Sequence, residues 1–476
     1  MASFPLIVAA RAVRHKVRAM TALGAFWPAL TRAGKLLARG QVRQFARKLL
    51  NESAAIRTLD AAPERTGPPL VLAGHILRPG GYDNVVLALL HGLLDAGVNV
   101  HRDPASVLNY ELIPRRWHPS EGALPDGPRL AATPPHLLHR FQPDRRTAAF
   151  TMWETDRLPS AAVAGLNRCG LVIVPSQWGA DCFRANGVTV PTEVVPLGHD
   201  RKVFHDSEKA KSLMRPPTRH LASLDGDLPH KGGGEEKRGL SYTSPLVGEV
   251  VATRSVAAGG GCWWTQSEAQ GPSTAIEEIT VFGTAGALDD GGLRKNLQRV
   301  IDLFRRAFPT EADVALRVKI TPASPPVNAY SDPRIDAIAC SLSPAGLANW
   351  YRSLTAYANA SFGEGFGLHL LEAMACGRPL ISTTFGGPGE FFDDSVGYEL
   401  PYRLVEARNA IYRGRWADPD DAAMIRAMRE VHRDRAEAER RGRRAAERAA
   451  RFTWADTAQK LFAVLTRHAF LPTPIA

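Results

Sequence analysis

The sequence predicts an α/β fold in two units, and three observations carry that reading. Short apolar runs of strand type alternate with segments of helical period over most of the chain. Glycine turns follow such strands, at Gly80-Gly81 and again at Gly363, Gly365 and Gly367. At 476 residues, the chain exceeds what one hydrophobic core ordinarily organises, so two or more domains are expected.

Composition narrows the class. Hydrophobic content of 45% and charged content of 22% describe a soluble globular protein. Five cysteines (169, 182, 262, 340 and 376) form no CxxC pair. Their odd number argues against a disulfide framework, so a reducing cytoplasm is the expected compartment. The net charge of +11 is concentrated at the start, where residues 1–65 carry 12 Lys and Arg against 3 acidic residues. That uneven spread points away from nucleic acid as a partner of the whole chain. No apolar run reaches the roughly 18 residues a spanning helix needs. MASFPLIVAARAVRHK places its apolar residues before its charges, the reverse of a signal peptide.

Residues 9–50 read as basic amphipathic helices, with Val13, Val17 and Met20 on one face and Val42, Phe45 and Leu49 on another. Such helices either lie on an anionic membrane surface, making the protein peripheral on the inner face, or pack on the protein itself. Pro68–Gly74 is then the first strand, and Pro79-Gly80-Gly81 turns the chain. Tyr82-Asp83-Asn84 caps a helix over Val85–Leu94, and Val98–His101 is a second strand. Strand, glycine turn and helix open a Rossmann-type unit. Thr147–Trp153, Leu171–Pro175 and Glu193–Leu197 are further strands, with Ser176 a helix cap. Glu154, just past a strand's C-terminal end, lies where open α/β sheets bind ligands, and is a candidate acceptor contact or base.

Residues 207–275 lack a sustained period and are rich in Gly, Ser and charge, so they read as a disordered insert. Asp225 and Asp227 within it form a lone DxD, too weak a signal for a metal site. Order resumes with the strand Ile279–Thr284 and a helix over Leu297–Phe308. Arg294 and Lys295 stand at that helix start against its dipole, a cost of about 0.3–1 kcal/mol each that suits a bound anion. Val314–Ile320 is a strand, Ser343–Ala358 a helix and residues 421–451 a charged helix. Thr453 caps a last helix, Trp454–His468.

The most informative stretch is Ser361–Gly389, SFGEGFGLHLLEAMACGRPLISTTFGGPG. Glycines loosen a loop, Leu368–Cys376 reads as helix, Gly377 suits its end and Pro379–Thr384 is a buried strand. Glu364 and Glu372 have seven residues between them. A loop feeding a helix N-terminus collects unpaired N–H groups and suits a phosphate, while ionised glutamates beside it accept from sugar hydroxyls.

This stretch resembles the C-terminal signature of retaining, GT-B-fold glycosyltransferases of family 4 (glycosyl transferases group 1), with EGFG-x-x-x-x-E-A-M-A-x-G-x-P standing as Glu364–Pro379. His369 departs from the pattern, which usually has Pro there. VPSQWGADCFRANGV and VVPLGHD resemble the end of the N-terminal domain of the same family. The resemblance implies two Rossmann-like domains facing across a cleft. It also implies transfer of a sugar from a nucleotide-diphosphate donor to a hydroxyl, with retention of configuration. In related enzymes a Gly-Gly loop, here Gly80 and Gly81, faces the cleft and belongs to the donor-binding set. An Arg and a Lys, here Arg294 and Lys295, bind the donor diphosphate. The usual Arg slot after the strand is Gly286-Ala287-Leu288 in this chain. Gly365, Phe366, Gly367 and Leu368 complete the donor loop, Glu364 holds the sugar and Glu372 the ribose. No metal and no cofactor beyond the nucleotide sugar are implied. The expected acceptor is a glycan or lipid-linked glycan of cell-surface assembly.

The expected layout is therefore a basic helical extension (1–65), an acceptor domain (66–206), the insert (207–275), a nucleotide-sugar domain (276–452) and a helix crossing back (453–476). Two alternatives remain: a nucleotide-sugar binder disabled by the insert, and another GT-B enzyme such as a nucleotide-sugar epimerase. A nicotinamide dehydrogenase fits poorly, since Gly80-Gly81 does not extend to GxGxxG.

Overall fold

The computed structural model describes residues 66–77, 81–113, 115–120, 124–206, 279–286, 294–321, 332–407 and 411–473. The basic segment 9–50, Gly80, the Asp225–Asp227 pair and Gly291-Gly292 lie outside the described residues.

Two six-stranded parallel sheets organise the chain. The first runs β1 (Pro69–Ala73), β2 (Asn99–Arg102), β3 (Arg129–Ala132), β4 (Thr147–Phe150), β5 (Leu171–Val174) and β6 (Thr192–Val194). Their spatial order is β2-β1-β3-β4-β5-β6. Crossovers between the parallel strands include α1 (Gly81–Asp95), α2 (Ser160–Leu166) and α3 (Gln177–Ala185). Helix α3 starts where Ser176 accepts from Gly179 N at 3.1 Å, the expected cap. Helix α1 instead begins at Gly81, so Tyr82, Asp83 and Asn84 lie inside its first turn. Asp83 accepts from Leu77 N at 2.7 Å, pinning the loop after β1 rather than capping the helix.

The second sheet comprises β7 (Thr280–Gly286), β8 (Val314–Ile320), β9 (Ile335–Ala339), β10 (Ala356–Ala358), β11 (Leu380–Ser382) and β12 (Gly397–Glu399). Its order is β12-β11-β10-β7-β8-β9. Helix α4 (Leu297–Ala307) buries Leu297, Val300, Ile301, Leu303 and Phe304 against this sheet, as its spacing predicts. The segment read as one helix over Ser343–Ala358 is two elements, α5 (Pro344–Arg352) and β10. Ala356, Tyr357 and Ala358 are wholly buried in mid-sheet, so tertiary pairing overrides their alanine-rich helical preference. Helix α6 (Leu368–Ala375) follows β10. Strands β13 (Tyr402–Glu406) and β14 (Arg415–Pro419) form an antiparallel hairpin.

The charged segment over 421–451 is two helices, α7 (Asp421–Arg433) and α8 (Arg435–Ala449), because Asp434 ends one and caps the other at Glu437 N. Helix α9 (Trp454–Arg467) starts on a Thr453–Asp456 capping box. It returns to the first sheet: Thr457 donates to Pro196 O at 2.9 Å, and a Cβ on Gly92 of α1 would lie 2.4 Å from Ala458. Among the described residues, no helix is long and apolar enough to cross a membrane.

Both sheets change direction at a definable place. Strands β1 and β3 flank the switch in the first, β7 and β10 in the second. Open α/β sheets bind ligands outside the carboxyl ends of strands at such points. The segments that follow β7 and β10 carry Arg294, Lys295 and Glu364.

Candidate active site

Backbone hydrogen bonds stitch those two segments together. Phe362 N donates to Arg294 O at 2.9 Å. Arg294 Nη1 donates to Gly363 O at 2.8 Å. Asn296 takes a left-handed conformation, φ 53°, ahead of α4. The result brings Lys295 Nζ onto both oxygens of Glu364, at 2.7 and 2.9 Å. Arg294 Nη1 reaches Glu364 Oε2 at 3.4 Å. Glu364 is buried, which alone would raise its pKa, yet Lys295, His369 and Arg294 together hold it well below the carboxylate range. Burial in turn weakens the Lys295 ammonium, and Glu364 opposes that loss. The anion beside the basic helix start is the signature loop's own carboxylate.

Gly367 precedes α6 at φ 92° and offers no side-chain cap. The N–H groups of Leu368 and His369 therefore face out of the helix start, with the dipole behind them. Lys295 is close enough to His369, at this end of α6, to help hold the imidazole pKa down. Glu372, two turns along, accepts from Tyr351 OH at 3.1 Å. Burial raises its pKa to about 7, against the opposing pull of Tyr351 and Lys319.

The opposite wall is the end of β4. A Cβ on Gly363 would lie 2.1 Å from Glu154 O, so only glycine lets the two backbones approach so closely. Glu154 is desolvated and its pKa raised, with Arg294 pulling the other way and Tyr412 hydrogen-bonded to it. Tyr412 comes from the segment preceding β14 and packs on Trp153, ring centroids 4.9 Å apart. Arg415 Nε, on β14, donates to Asp156 Oδ2 at 2.9 Å. Tyr82, the second residue of α1, accepts from Met152 N at 2.8 Å. Gly81 stands at φ 54° at the head of that helix.

The structure thus gathers Glu154, Arg294, Lys295, Glu364 and the 365–368 loop, with Glu372 deeper along α6. Sequence reasoning missed Tyr351, Tyr412 and the position of His369 beside Glu364. Tyr351 was findable, since it lies in the helix before the signature loop. Tyr412 had no local signal. Among the described residues, no group of three or more His, Cys, Asp or Glu stands together as a metal site would require.

A family model described as "Family 4 Glycosyltransferase in conflict systems" matches residues 322–461. That span contains both signature glutamates. Over that span the chain is similar to family 4 glycosyltransferases.

Curated relatives match over a similar share of the chain. It is 37% identical over 131 residues to a D-inositol 3-phosphate glycosyltransferase of Frankia alni, covering 27% of the chain and 28% of the relative. The corresponding protein of Mycolicibacterium smegmatis is 33% identical over 121 residues, covering 25% and 24%. The chain therefore spans about a quarter of the length of the curated relatives it matches. The likeness to solved structures extends over both sheets. Sucrose-phosphate synthase from Thermosynechococcus elongatus superposes with a TM-score of 0.53 at 16% identity, over 84% of this chain and 98% of that one. Anabaena HepE, solved in complex with UDP and glucose, gives 0.53 at 13% identity, over 84% and 100%. At such identities the likeness concerns the fold.

Proposed function

We propose that this chain is a family 4, GT-B glycosyltransferase that moves a sugar from a nucleotide-diphosphate donor to a hydroxyl acceptor, with retention of configuration and with no cofactor beyond the nucleotide sugar. The observation that carries the reading is the convergence of Lys295, Arg294, Glu364 and the uncapped start of α6 at the β7–β10 switch. Departure of the nucleoside diphosphate builds negative charge as the sugar becomes oxocarbenium-like. Fixed cations and outward N–H groups stabilise that charge without reorganising. Lys295 and Arg294 take the diphosphate, Glu372 the ribose and Glu364 the sugar hydroxyls. Glu154, across the cleft, faces the acceptor, for which a glycan or lipid-linked glycan at a cytoplasmic membrane face is the expected class.

A thermal-shift panel of UDP-, GDP- and ADP-sugars tests the donor assignment. A ligand present at 100 times its dissociation constant stabilises the fold by about 2.7 kcal/mol. Product anomer analysis by NMR then tests retention. Stabilisation by no nucleotide sugar sinks the reading. Binding without transfer to any glycan favours a nucleotide-sugar binder instead.

A further inference from the structure

The His369 ring is placed against the ion pair at the heart of the site. His369 is the second residue of α6. Its ring packs edge-on against Tyr357 of β10, centroids 5.9 Å apart. Its Nε2 is buried without a hydrogen-bond partner and lies 3.8 Å from Glu364 Oε1. Facing the imidazole are Glu364 from the signature loop, Lys295 and Arg294 from the segment before α4, and Tyr357 from β10. Glu372 lies one turn further along its own helix. Tyr357 OH is engaged elsewhere, accepting from Ala285 N at 2.9 Å.

A diphosphate bound at α6 competes with Glu364 for Lys295 and Arg294. Once those cations turn to phosphate, Glu364 is a buried carboxylate short of donors, a costly state unless another donor is near. The nearest is His369, whose Nε2 needs to close by about 1 Å to reach hydrogen-bond distance. We propose that His369 is a positioning residue that replaces Lys295 as the partner of Glu364 when a nucleoside diphosphate binds, and that binding therefore takes up a proton. The proton comes from the buffer and ends on the imidazole, between the ring and Glu364. No other bond is made or broken. Without ligand, burial and then Lys295 hold the His369 pKa down to about 3, so the ring starts neutral. Phosphate charge beside it and loss of Lys295 from its carboxylate both favour the imidazolium. The sign follows: a group whose pKa rises on binding makes binding tighter at low pH, and the gain is lost as pH rises through the bound-state pKa. This inference rests on the donor-site reading above.

The test is titration calorimetry of the full chain with UDP, in buffers of different ionisation enthalpy, for the parent and His369→Gln. Ionisation of the UDP phosphate and of Glu372 is common to both proteins, so the difference between them isolates His369. The parent should take up several tenths of a proton more than the variant near pH 6. Its UDP affinity should gain about tenfold over the variant's between pH 8 and pH 5.5, as expected if the bound ring returns to an ordinary histidine pKa. His369→Asn serves as a second non-titrating variant should Gln misfold. Equal proton counts and parallel pH dependence in parent and variant overturn the histidine exchange while leaving the donor site standing. No binding of UDP, GDP or ADP to the parent overturns both.

Discussion

Lys295 Nζ donates to both oxygens of Glu364, at 2.7 and 2.9 Å, so the residue proposed for the diphosphate and the residue proposed for the sugar are each other's partner. On the proposed reading, a bound donor breaks this buried ion pair before either residue does its work. Such pairs are costly to halve, because the remaining charge is buried and uncompensated.

This pair yields an asymmetric prediction. Lys295→Ala should destabilise the fold by about 3–5 kcal/mol, and Lys295→Ala with Glu364→Gln by clearly less. Lys295→Ala should also weaken UDP binding at least tenfold, the worth of a charged hydrogen bond being about 1.5–3 kcal/mol. Glu364→Gln should bind free UDP at least as tightly as the parent, since no carboxylate competes for Nζ, yet lose turnover with the nucleotide sugar. Denaturant melts and calorimetry on the four proteins check the cycle. Additive single effects would show that the two side chains are energetically independent.

Glu372 predicts a pH signature in stability. Its pKa is raised from 4.5 to about 7 by burial, so the folded state binds more protons than the unfolded state between those values. Stability is then undiminished below pH 4.5 and falls as pH rises through 7, by at most about 3 kcal/mol. Glu372→Gln removes the titration. Its melting temperature should match the parent near pH 4.5 and exceed it at pH 8. Identical pH profiles for the two proteins would show that Glu372 is ionised at no cost in the fold.

Gly363→Ala tests the contact across the cleft. The added Cβ meets the Glu154 carbonyl at 2.1 Å, and a backbone atom yields only if the walls separate. Thermal stability should fall and turnover should drop more than UDP affinity, because Arg294, Lys295 and Glu372, the residues proposed for the diphosphate and ribose, all stand on the β7–β10 side. Unchanged turnover would mean that the close approach at Glu154 plays no part in catalysis.

These outcomes also mark what the sequence disclosed. The glycine spacing of the loop, the interval between Glu364 and Glu372 and the apolar face of α4 are local signals, and they located the α4 and α6 side of the candidate site. Strand β3 escaped because Arg129–Ala132 is four residues long after a proline-rich passage. Strand β10 was absorbed into a helix because Ala356 and Ala358 favour helix when their sheet neighbours are unknown. The Lys295–Glu364 pair joins segments distant in sequence, so spacing could suggest an anion for Lys295 but not that Glu364 would be it. Nothing in the charged run through β13 and β14 announced that Tyr412 would meet Glu154.

That last contact gives a prediction about the acceptor side. Tyr412 hydrogen-bonds Glu154, opposing the rise in pKa that burial imposes on the carboxyl. Tyr412→Phe keeps the ring against Trp153, from which the native centroid lies 4.9 Å, and removes only the hydroxyl. The fold should lose about 0.5–1.5 kcal/mol, the net worth of one hydrogen bond. With that bond gone the Glu154 pKa climbs further, so a role that needs the carboxylate ionised is available only at higher pH. The acidic limb of the turnover profile should move upward in pH for Tyr412→Phe, while UDP affinity, governed by the opposite wall, stays close to the parent's. Glu154→Gln should abolish that limb together with most of the turnover. A Tyr412→Phe profile superimposable on the parent's would remove Glu154 from the ionisations that matter to catalysis, leaving it a structural carboxyl at the end of β4.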